Sequence, residues 1–237
     1  GFTRRLRFVM SAGTPLPDAV SRAFETLYDR PVLDYYGLTE TAGLCVGVPP
    51  GMQEVYRGAI GVPIGAEARI IGEDGIDAAG GEPGELLIRS GNLMSRYHLD
   101  PDATEKAFID GWYRTRDLCF RRPDGSIELL GRVDDAFKDL RGELTYPYEI
   151  ERALERTGLV LEAAVCGFVG DDGRPGAAAF VVSRDGVDKN TLESELKRSV
   201  LACLGLYRTP TIFRFVDALP RCTNGKILRR KLREALL

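Results

Sequence analysis

Apolar and polar positions follow different patterns in successive parts of the 237-residue chain. A short apolar run, residues 6–10, precedes the segment SAGTPLP and apolar positions at helical spacing, which predict a strand and then a helix from about Pro17 to Tyr28. A second apolar run, Pro31 to Asp34, predicts a strand that leads into a loop, YYGLTET, residues 35–41. Strand, helix and strand in this order are typical of an α/β layer, where ligands collect at the ends of strands.

The middle of the chain, from about residue 55 to residue 130, has short apolar runs separated by glycine and proline turns, which predict a β-rich subdomain. The last hundred residues predict a compact α+β unit: a helix near 147–156, strands near 163–169 and 177–182, a second helix and a basic C-terminal segment. Asn190, with Glu193 three residues later, predicts the start of the second helix, whose apolar stripe is Leu192, Leu196 and Val200. The predicted fold class is therefore α/β and α+β.

Composition narrows the function classes. With 44% hydrophobic residues, 28% charged residues and a net charge of −3, the chain has the profile of a globular protein, and nothing global indicates a nucleic-acid or membrane-surface partner. Its most apolar segment, residues 159–169, is too short to span a bilayer. Five cysteines without CxxC spacing argue against a disulfide framework and favour the cytoplasm. A single histidine, His98, argues against a histidine-based metal site or catalytic triad, and we expect it at the surface.

Three segments of the first half carry candidate chemistry. In YYGLTET, Gly37 can adopt backbone angles closed to other residues, Thr39 could donate to a phosphate oxygen, and Glu40 could hold Mg2+. In SAGTPLP, small residues after a strand leave room for a flat ring, and in YRTRDL the carboxylate of Asp117 could accept hydrogen bonds from a ribose diol. Each segment alone also fits an ordinary turn or helix cap.

Two segments of the second half are unusually charged. Residues 131–151 crowd five charged side chains into a dozen positions, more than a simple connector needs, although a solvated interdomain linker is the alternative; they are Arg132, Asp134, Asp135, Lys138 and Arg141. Residues 219–232 contain a Thr-Asn-Gly turn that would present Lys226. Its basic residues could also form a patch for RNA or phospholipid, or one face of a terminal helix.

Taken together, six segments between residues 11 and 230 resemble one family in order and spacing: SAGTPLP, YYGLTET, GELLIRSG, YRTRDL, GRVDDAFK with PYEIE, and PRCTNGKILRR. The chain resembles the adenylate-forming superfamily of acyl-CoA synthetases, luciferases and peptide-synthetase adenylation domains. The resemblance implies that a carboxylic acid attacks the α-phosphorus of ATP to give an acyl-adenylate, and that a thiol of CoA or of the phosphopantetheine on an acyl carrier protein then takes the acyl group.

The resemblance also implies residue roles. Thr39 would bind the α-phosphate, Glu40 the Mg2+, and Lys226 would bridge the substrate carboxylate and the α-phosphate. Further contacts to ATP or AMP would come from Ala12, Gly13, Thr14 and Tyr36 near the adenine, from Asp117 on the ribose, and from Arg132 on the ribose and phosphates. Gly37 is also implied as a nucleotide-binding residue. For the thioester step, the family rotates a small C-terminal domain about a hinge that matches Asp134, after which Lys138 and Gly142 would face the active site. The implied domains are residues 1–133 and 134–237.

Departures from the family pattern leave alternatives open. The phosphate loop of the form SGTTGxPK does not occur in the chain, so we expect this to be the C-terminal portion of a longer or complemented enzyme, inactive alone. Arg116 replaces the usual glycine beside Asp117, one extra residue lies between Lys138 and Gly142, and Glu143 stands where a larger or aromatic residue is common. The last two changes affect the surface expected to form the thioester. They keep two alternatives open: a ligase that passes its acyl group to a carrier protein, and a noncatalytic interaction module that retains the fold. A nucleic-acid patch at residues 221–233 is disfavoured by the acidic net charge.

Overall fold

The computed structural model describes residues 5–14, 16, 18–223 and 225–236, apart from the side chains of residues 19 and 189. The chain divides into two compact units, here called the N-terminal unit, Gly1–Leu130, and the C-terminal unit, Gly131–Leu237. Each unit contains its own buried apolar clusters. The domains predicted from the sequence, residues 1–133 and 134–237, also carry nucleotide-binding roles, and this assignment stays a prediction.

The N-terminal unit opens with the expected strand, helix and strand. These are β1 (Val9–Ala12), α1 (Asp18–Tyr28) and β2 (Val32–Leu38), and β1 pairs with β2 in parallel. Strands β3 (Gly43–Gly47) and β4 (Val62–Pro63) then add antiparallel, giving the order β1-β2-β3-β4. The predicted α/β layer is confirmed.

Two local predictions in this layer were wrong. The first strand begins at Val9 rather than at residue 6, and β2 runs to Leu38, so the first half of YYGLTET is strand rather than loop. The reason is tertiary, because β3 pairs with residues 35–38 and Tyr36 is buried in the core. The rest, Thr39–Thr41, forms a 3-10 helix. Pro17, the predicted helix start, lies outside the described residues.

The β-rich segment forms a second sheet, as predicted. Its strands are β5 (Glu67–Ile71), β6 (Gly84–Arg89), β7 (Phe108–Ile109), β8 (Trp112–Arg121) and β9 (Ile127–Arg132), in the order β5-β6-β8-β7 with β9 also paired to β8. An unpredicted helix, α2 (Pro101–Ala107), precedes β7. Asp100 is its N-cap and accepts a hydrogen bond from the amide of Ala103 at 2.9 Å. Because the helix has only seven residues, it is too short to show a clear apolar periodicity in the sequence.

The C-terminal unit is α+β. A hairpin of β10 (Phe137–Lys138) and β11 (Leu144–Thr145) precedes a sheet in the order β12 (Val160–Val169), β13 (Pro175–Ser183), β14 (Ile212–Phe215). Its helices are α3 (Pro147–Glu155), α4 (Lys189–Leu204) and α5 (Arg229–Glu234). Alternate residues of β12 and β13 belong to two different apolar clusters, one shared with α3 and α4 and the other with α5, as the period of two in a strand requires.

The apolar stripe of α4 is confirmed, since Leu192, Leu196 and Val200 are all fully buried. The predicted cap was wrong by two positions: Asp188, not Asn190, is the N-cap, and its carboxylate accepts a hydrogen bond from the Asn190 amide at 2.9 Å. Asx side chains commonly bond to the backbone two residues on, which makes neighbouring Asp and Asn hard to distinguish in a sequence.

The five cysteines are free thiols, three of them buried, and His98 is exposed. Within the described part of the chain, every helix is too short or too polar to cross a bilayer.

Candidate active site

The first candidate segment, SAGTPLP, begins with the last two residues of β1 and continues beyond the strand. Because β1 and β2 are parallel, with Ala12 opposite Tyr35, the residues after β1 emerge beside the strand that carries Tyr36. Gly13 has a φ of +94°, a left-handed conformation that side chains rarely tolerate, and this explains a glycine at that position. Thr14 is half-buried.

Tyr36 and Asp117 meet although they lie 81 residues apart in the chain. The Tyr36 hydroxyl donates to Asp117 Oδ2 at 2.6 Å, and both residues are more than nine-tenths buried. Burial, together with the charge of Asp117, raises the pKa of Tyr36 above its ordinary value, so the phenol stays protonated as a hydrogen-bond donor. Two residues expected at the adenine and the ribose are thus joined directly.

Arg116, the departure from the usual glycine, has a φ of +59°. It lies where the pairing of β6 with β8 shifts register between Glu85 and Leu87, the irregularity of a β-bulge. Glu85 holds it there, because Glu85 Oε1 accepts the Arg116 amide at 3.1 Å and Oε2 lies 3.7 Å from Arg116 Nη1. The backbone before Asp117 therefore adopts a conformation favoured by glycine even though an arginine stands there.

Glu40 lies on the 3-10 helix that follows β2, next to the exposed Thr39. Tyr97 donates to Glu40 Oε1 at 2.8 Å and so orients the carboxylate. Sequence reasoning missed Tyr97, and no local signal could have found it, because 57 residues separate the pair. Among the described residues no three candidate ligands cluster into a metal site. A single oriented carboxylate still fits Mg2+, which keeps waters and substrate phosphates as its other ligands.

The expected backbone freedom of Gly37 was wrong. Gly37 lies inside β2 and is not among the described glycines with positive φ. A Cβ at this position would lie 2.0 Å from the carbonyl oxygen of Gly43, so glycine is needed for the close approach of β3. Gly37 shapes the sheet beside Tyr36 rather than acting as a hinge.

A small cavity of about 40 Å³ lies beside β2 and is lined by Asp34, Gln53 and Arg57, among others. Burial raises the pKa of Asp34 to about 6, against a smaller opposing effect of Arg57. Gln53 Oε1 is buried and has no hydrogen-bond partner among the described residues. Arg57 forms ion pairs with three other carboxylates, including Glu25 on α1 at 3.0 Å. Its charge is therefore shared, which is consistent with its small effect on the pKa of Asp34.

In the C-terminal unit, Lys226 is exposed on a tight hairpin. The Cys222 amide donates to the carbonyl of Lys226 at 3.0 Å, the Gly225 amide donates to the carbonyl of Cys222 at 2.9 Å, and Arg221 pairs with Ile227 across the hairpin. The turn predicted at Thr-Asn-Gly falls partly on Asn224, which lies outside the described residues.

The extra residue between Lys138 and Gly142 is accommodated by a turn. The Gly142 amide donates to the carbonyl of Asp139 at 2.9 Å, and Gly142 has a φ of +82°. The buried carboxylate of Asp139 accepts the amides of Arg141 at 2.8 Å and Glu143 at 3.1 Å. Aspartate first and glycine fourth are favoured in such turns. Lys138 itself is exposed on β10.

The predicted hinge residue, Asp134, lies in a 3-10 helix, Val133–Asp135, and its Oδ2 is 4.0 Å from Arg132 Nη2. Several basic residues of the alternative nucleic-acid patch, residues 221–233, are ion-paired. Arg221 pairs with Glu162, and Arg229 and Arg233 both pair with Asp135. Neutralised arginines weaken the case for a phosphate-binding patch.

The N-terminal unit thus gathers the residues at the ends of β1 and β2 with Asp117, whereas Arg132, Asp134, Lys138, Gly142 and Lys226 lie in the C-terminal unit. Comparison with protein families matches residues 2–98 to the AMP-binding enzyme model and residues 149–226 to the AMP-binding enzyme C-terminal domain model. The chain belongs to the AMP-binding enzyme family. This family is the adenylate-forming superfamily that the six segments resemble.

Two relatives that match nearly the whole chain are CoA ligases. The chain is 38% identical to sulfoacetate–CoA ligase of Cupriavidus necator, over 96% of this chain and 44% of the relative. It is 37% identical to 4-hydroxybenzoate–CoA/benzoate–CoA ligase of Rhodopseudomonas palustris, over 98% of this chain and 43% of the relative. The chain spans less than half the length of these relatives.

A solved structure, ATP-bound MatB from Rhodopseudomonas palustris, is 30% identical and superposes with a TM-score of 0.82, over 97% of this chain and 45% of that one. A benzoate CoA ligase from Burkholderia xenovorans is 32% identical with a TM-score of 0.79, over 96% of this chain and 45% of that chain. The predicted fold class is confirmed.

Proposed function

We propose that this chain contributes part of the active site of an AMP-forming carboxylic acid–CoA ligase. The observation that carries the proposal is the buried hydrogen bond from Tyr36 to Asp117 at 2.6 Å, because it joins two distant family segments in one place. The relatives named above are CoA ligases, which supports the same reaction class for the complete protein.

In the first step, a carboxylate oxygen of the substrate attacks the α-phosphorus of ATP, and pyrophosphate leaves as the acyl-adenylate forms. Asp117 binds the ribose hydroxyls; Tyr36 uses one of the roughly four hydrogen bonds that a carboxylate can accept. Tyr36 and the segment from Ala12 to Thr14 line the adenine, and Thr39 donates to the α-phosphate. Glu40, oriented by Tyr97, would hold Mg2+, which neutralises phosphate charge when bound.

Lys226 offsets the electrostatic repulsion between two anions, the substrate carboxylate and the triphosphate. An exposed ammonium on a tight hairpin is a compact charge suited to this bridge, and Arg132 adds a contact to the ribose and phosphates. In such a reaction, catalysis is mainly positioning and charge stabilisation.

In the second step, the thiol sulfur of CoA attacks the acyl carbon, and AMP leaves as the thioester forms. The C-terminal domain turns about Asp134 between the steps, which brings Lys138 and Gly142 to the site. A phosphopantetheine thiol on a carrier protein would react in the same way. Residues 42–47, AGLCVG, supply a small apolar wall, which favours an aryl or acyl substrate.

The test is Lys226→Ala in the complete enzyme, assayed by carboxylate-dependent pyrophosphate exchange. We expect the exchange rate to fall at least about a hundredfold, as on removal of other stabilising groups, while ATP still binds. Lys231→Ala, an exposed lysine on α5, is the matched control and should keep the exchange rate. Near-normal exchange in Lys226→Ala would refute the role assigned to Lys226, whereas a complete wild-type protein without exchange would favour a noncatalytic interaction module.

A further inference from the structure

Arg229, in the first turn of α5, is the centre of a largely buried ion-pair network in the C-terminal unit. Its side chain is only 17% exposed. Nη1 donates to Glu151 Oε1 on α3 and to the carbonyl of Val165 on β12, both at 2.6 Å, and Nε lies 3.3 Å from Asp135 Oδ2. Glu151 Oε1 also accepts the Val165 amide at 2.7 Å. One side chain therefore ties together three elements of the unit.

Asp135 is the network's link to the predicted hinge. It is the last residue of the 3-10 helix Val133–Asp135 and directly follows Asp134. Its second oxygen, Oδ1, receives Arg233 Nη2 at 3.0 Å, so two arginines of α5 hold one carboxylate. Burial alone would lower the pKa of Arg229, but Glu151 and Asp135 raise it above its ordinary value, so the guanidinium stays charged.

The same arginine is close in sequence to Lys226. The Leu228 amide donates to the carbonyl of Pro220 at 2.8 Å and so closes the base of the Lys226 hairpin, and Arg229 is the next residue. Anchoring Arg229 therefore fixes the point at which the hairpin leaves the body of the unit.

We propose that Asp135 and Arg229 form a clamp that holds the predicted hinge segment and the Lys226 hairpin to one rigid body. Arg229 is then a positioning residue for Lys226, and the hinge movement is confined to residues before Asp135, because Asp135 moves with the C-terminal unit. The assignment of a task to Lys226 rests on the proposed function, whereas the clamp itself is independent of it.

The clamp makes a chemical demand on both partners. A guanidinium can donate to a carboxylate and a carbonyl at once in a fixed fork, which an ammonium cannot reproduce. When Asp135 loses its charge, Arg229 keeps its ion pair with Glu151, but the charge-assisted contact that ties it to the hinge segment is weakened. Asp135→Asn, which keeps shape and loses charge, and Arg229→Lys, which keeps charge and loses the fork, should therefore both loosen the segments that the clamp joins.

Amide hydrogen exchange on the 237-residue chain tests the clamp without any activity. The Ala136 amide, bonded to the carbonyl of Val133, reports on the hinge segment, and the Leu228 amide reports on the hairpin base. In Asp135→Asn we expect both amides to exchange at least about tenfold faster through local opening. Arg233→Gln, at a half-exposed partner of Asp135, should accelerate Ala136 less.

The matched control is Asp172→Asn, the same change at a residue whose ion pair with Arg174 is exposed on the turn between β12 and β13. It should leave exchange at Ala136 and Leu228 as in the wild type. Unchanged exchange at both amides in a folded Asp135→Asn chain overturns the clamp, and so does acceleration of Ala136 alone, since that would uncouple the hinge from the hairpin.

In the complete enzyme, a positioning role predicts a particular kinetic pattern. Asp135→Asn should lower kcat for pyrophosphate exchange about tenfold and leave KM for ATP within about twofold, because the hairpin is misplaced while the nucleotide contacts of the N-terminal unit are kept. A raised KM with unchanged kcat would overturn the positioning role. A wild-type enzyme without exchange would instead refute the proposed function, and the hydrogen-exchange result would still stand.

Discussion

The left-handed backbone of Arg116 makes a quantitative prediction about substitution beside Asp117. A non-glycine residue at a φ of +59° is strained by roughly 1–2 kcal/mol relative to an ordinary conformation. Arg116→Gly removes that strain. Glycine also increases the conformational entropy of the unfolded chain, which offsets about 0.4–1 kcal/mol of the gain in stability. The ion pair with Glu85 is also lost, and with Arg116 39% exposed it contributes about 0–1 kcal/mol.

Comparing two substitutions isolates the backbone effect. Arg116→Ala loses the same ion pair but keeps the strain, so Arg116→Gly should be more stable than Arg116→Ala by about 1 kcal/mol. Arg114 provides a matched control, because it also pairs with Glu85, at 2.5 Å, and it is not among the described residues with positive φ. At this position the order of stability should reverse: the free energy of unfolding of Arg114→Ala should exceed that of Arg114→Gly by about 0.5–1 kcal/mol.

The assay is denaturant unfolding followed by tryptophan fluorescence. The chain has one tryptophan, Trp112, which is 6% exposed on β8, so its signal reports on the strand that carries Arg116 and Asp117. If the glycine variant is the less stable of the pair at both positions, the backbone at Arg116 is not strained, and the backbone explanation for a glycine at this place in the family pattern fails. In that case Asp117 would be seated by its side-chain contacts alone.

Two further predictions concern the strand β2. Tyr36→Phe removes a buried donor to the Asp117 carboxylate and should lower the free energy of unfolding by about 1.5–3 kcal/mol by the same fluorescence assay; a loss below about 0.5 kcal/mol would show that this bond is not formed in solution. For Asp34, the pKa is raised from 3.8 to about 6, so the folded state holds a proton that the unfolded state has released. The contribution of Asp34 to the free energy of unfolding is therefore fully present at low pH and is lost as the pH rises from about 4 to about 6. After allowing for the partial exposure of Asp34, we expect this loss to be about 1 kcal/mol. Asp34→Asn should gain stability relative to the wild type across that rise, and a relative loss would contradict the assigned pKa.

Several local features could be read from the sequence. The order of strand and helix at the start, the β-rich middle segment and the buried stripe of α4 follow from periodicity and from turn residues between the strands. Such features depend on neighbours a few positions apart, so the chain specifies them before any long-range contact forms.

Other features were decided by tertiary structure. Tyr36 meets Asp117 and Tyr97 meets Glu40 only because the strand order brings distant segments together. The same order explains why YYGLTET begins as strand and why Gly37 is needed for the approach of β3 rather than for its own backbone angles.

By itself, then, the sequence determined which chemical groups this protein has, in which order, and which family it belongs to. Tertiary structure alone decided which polar and charged groups meet, and how each is oriented, as Arg229 between Glu151 and Asp135 illustrates. The physical reason is that burial and electrostatic interaction depend on distance in space, which periodicity along the chain does not encode.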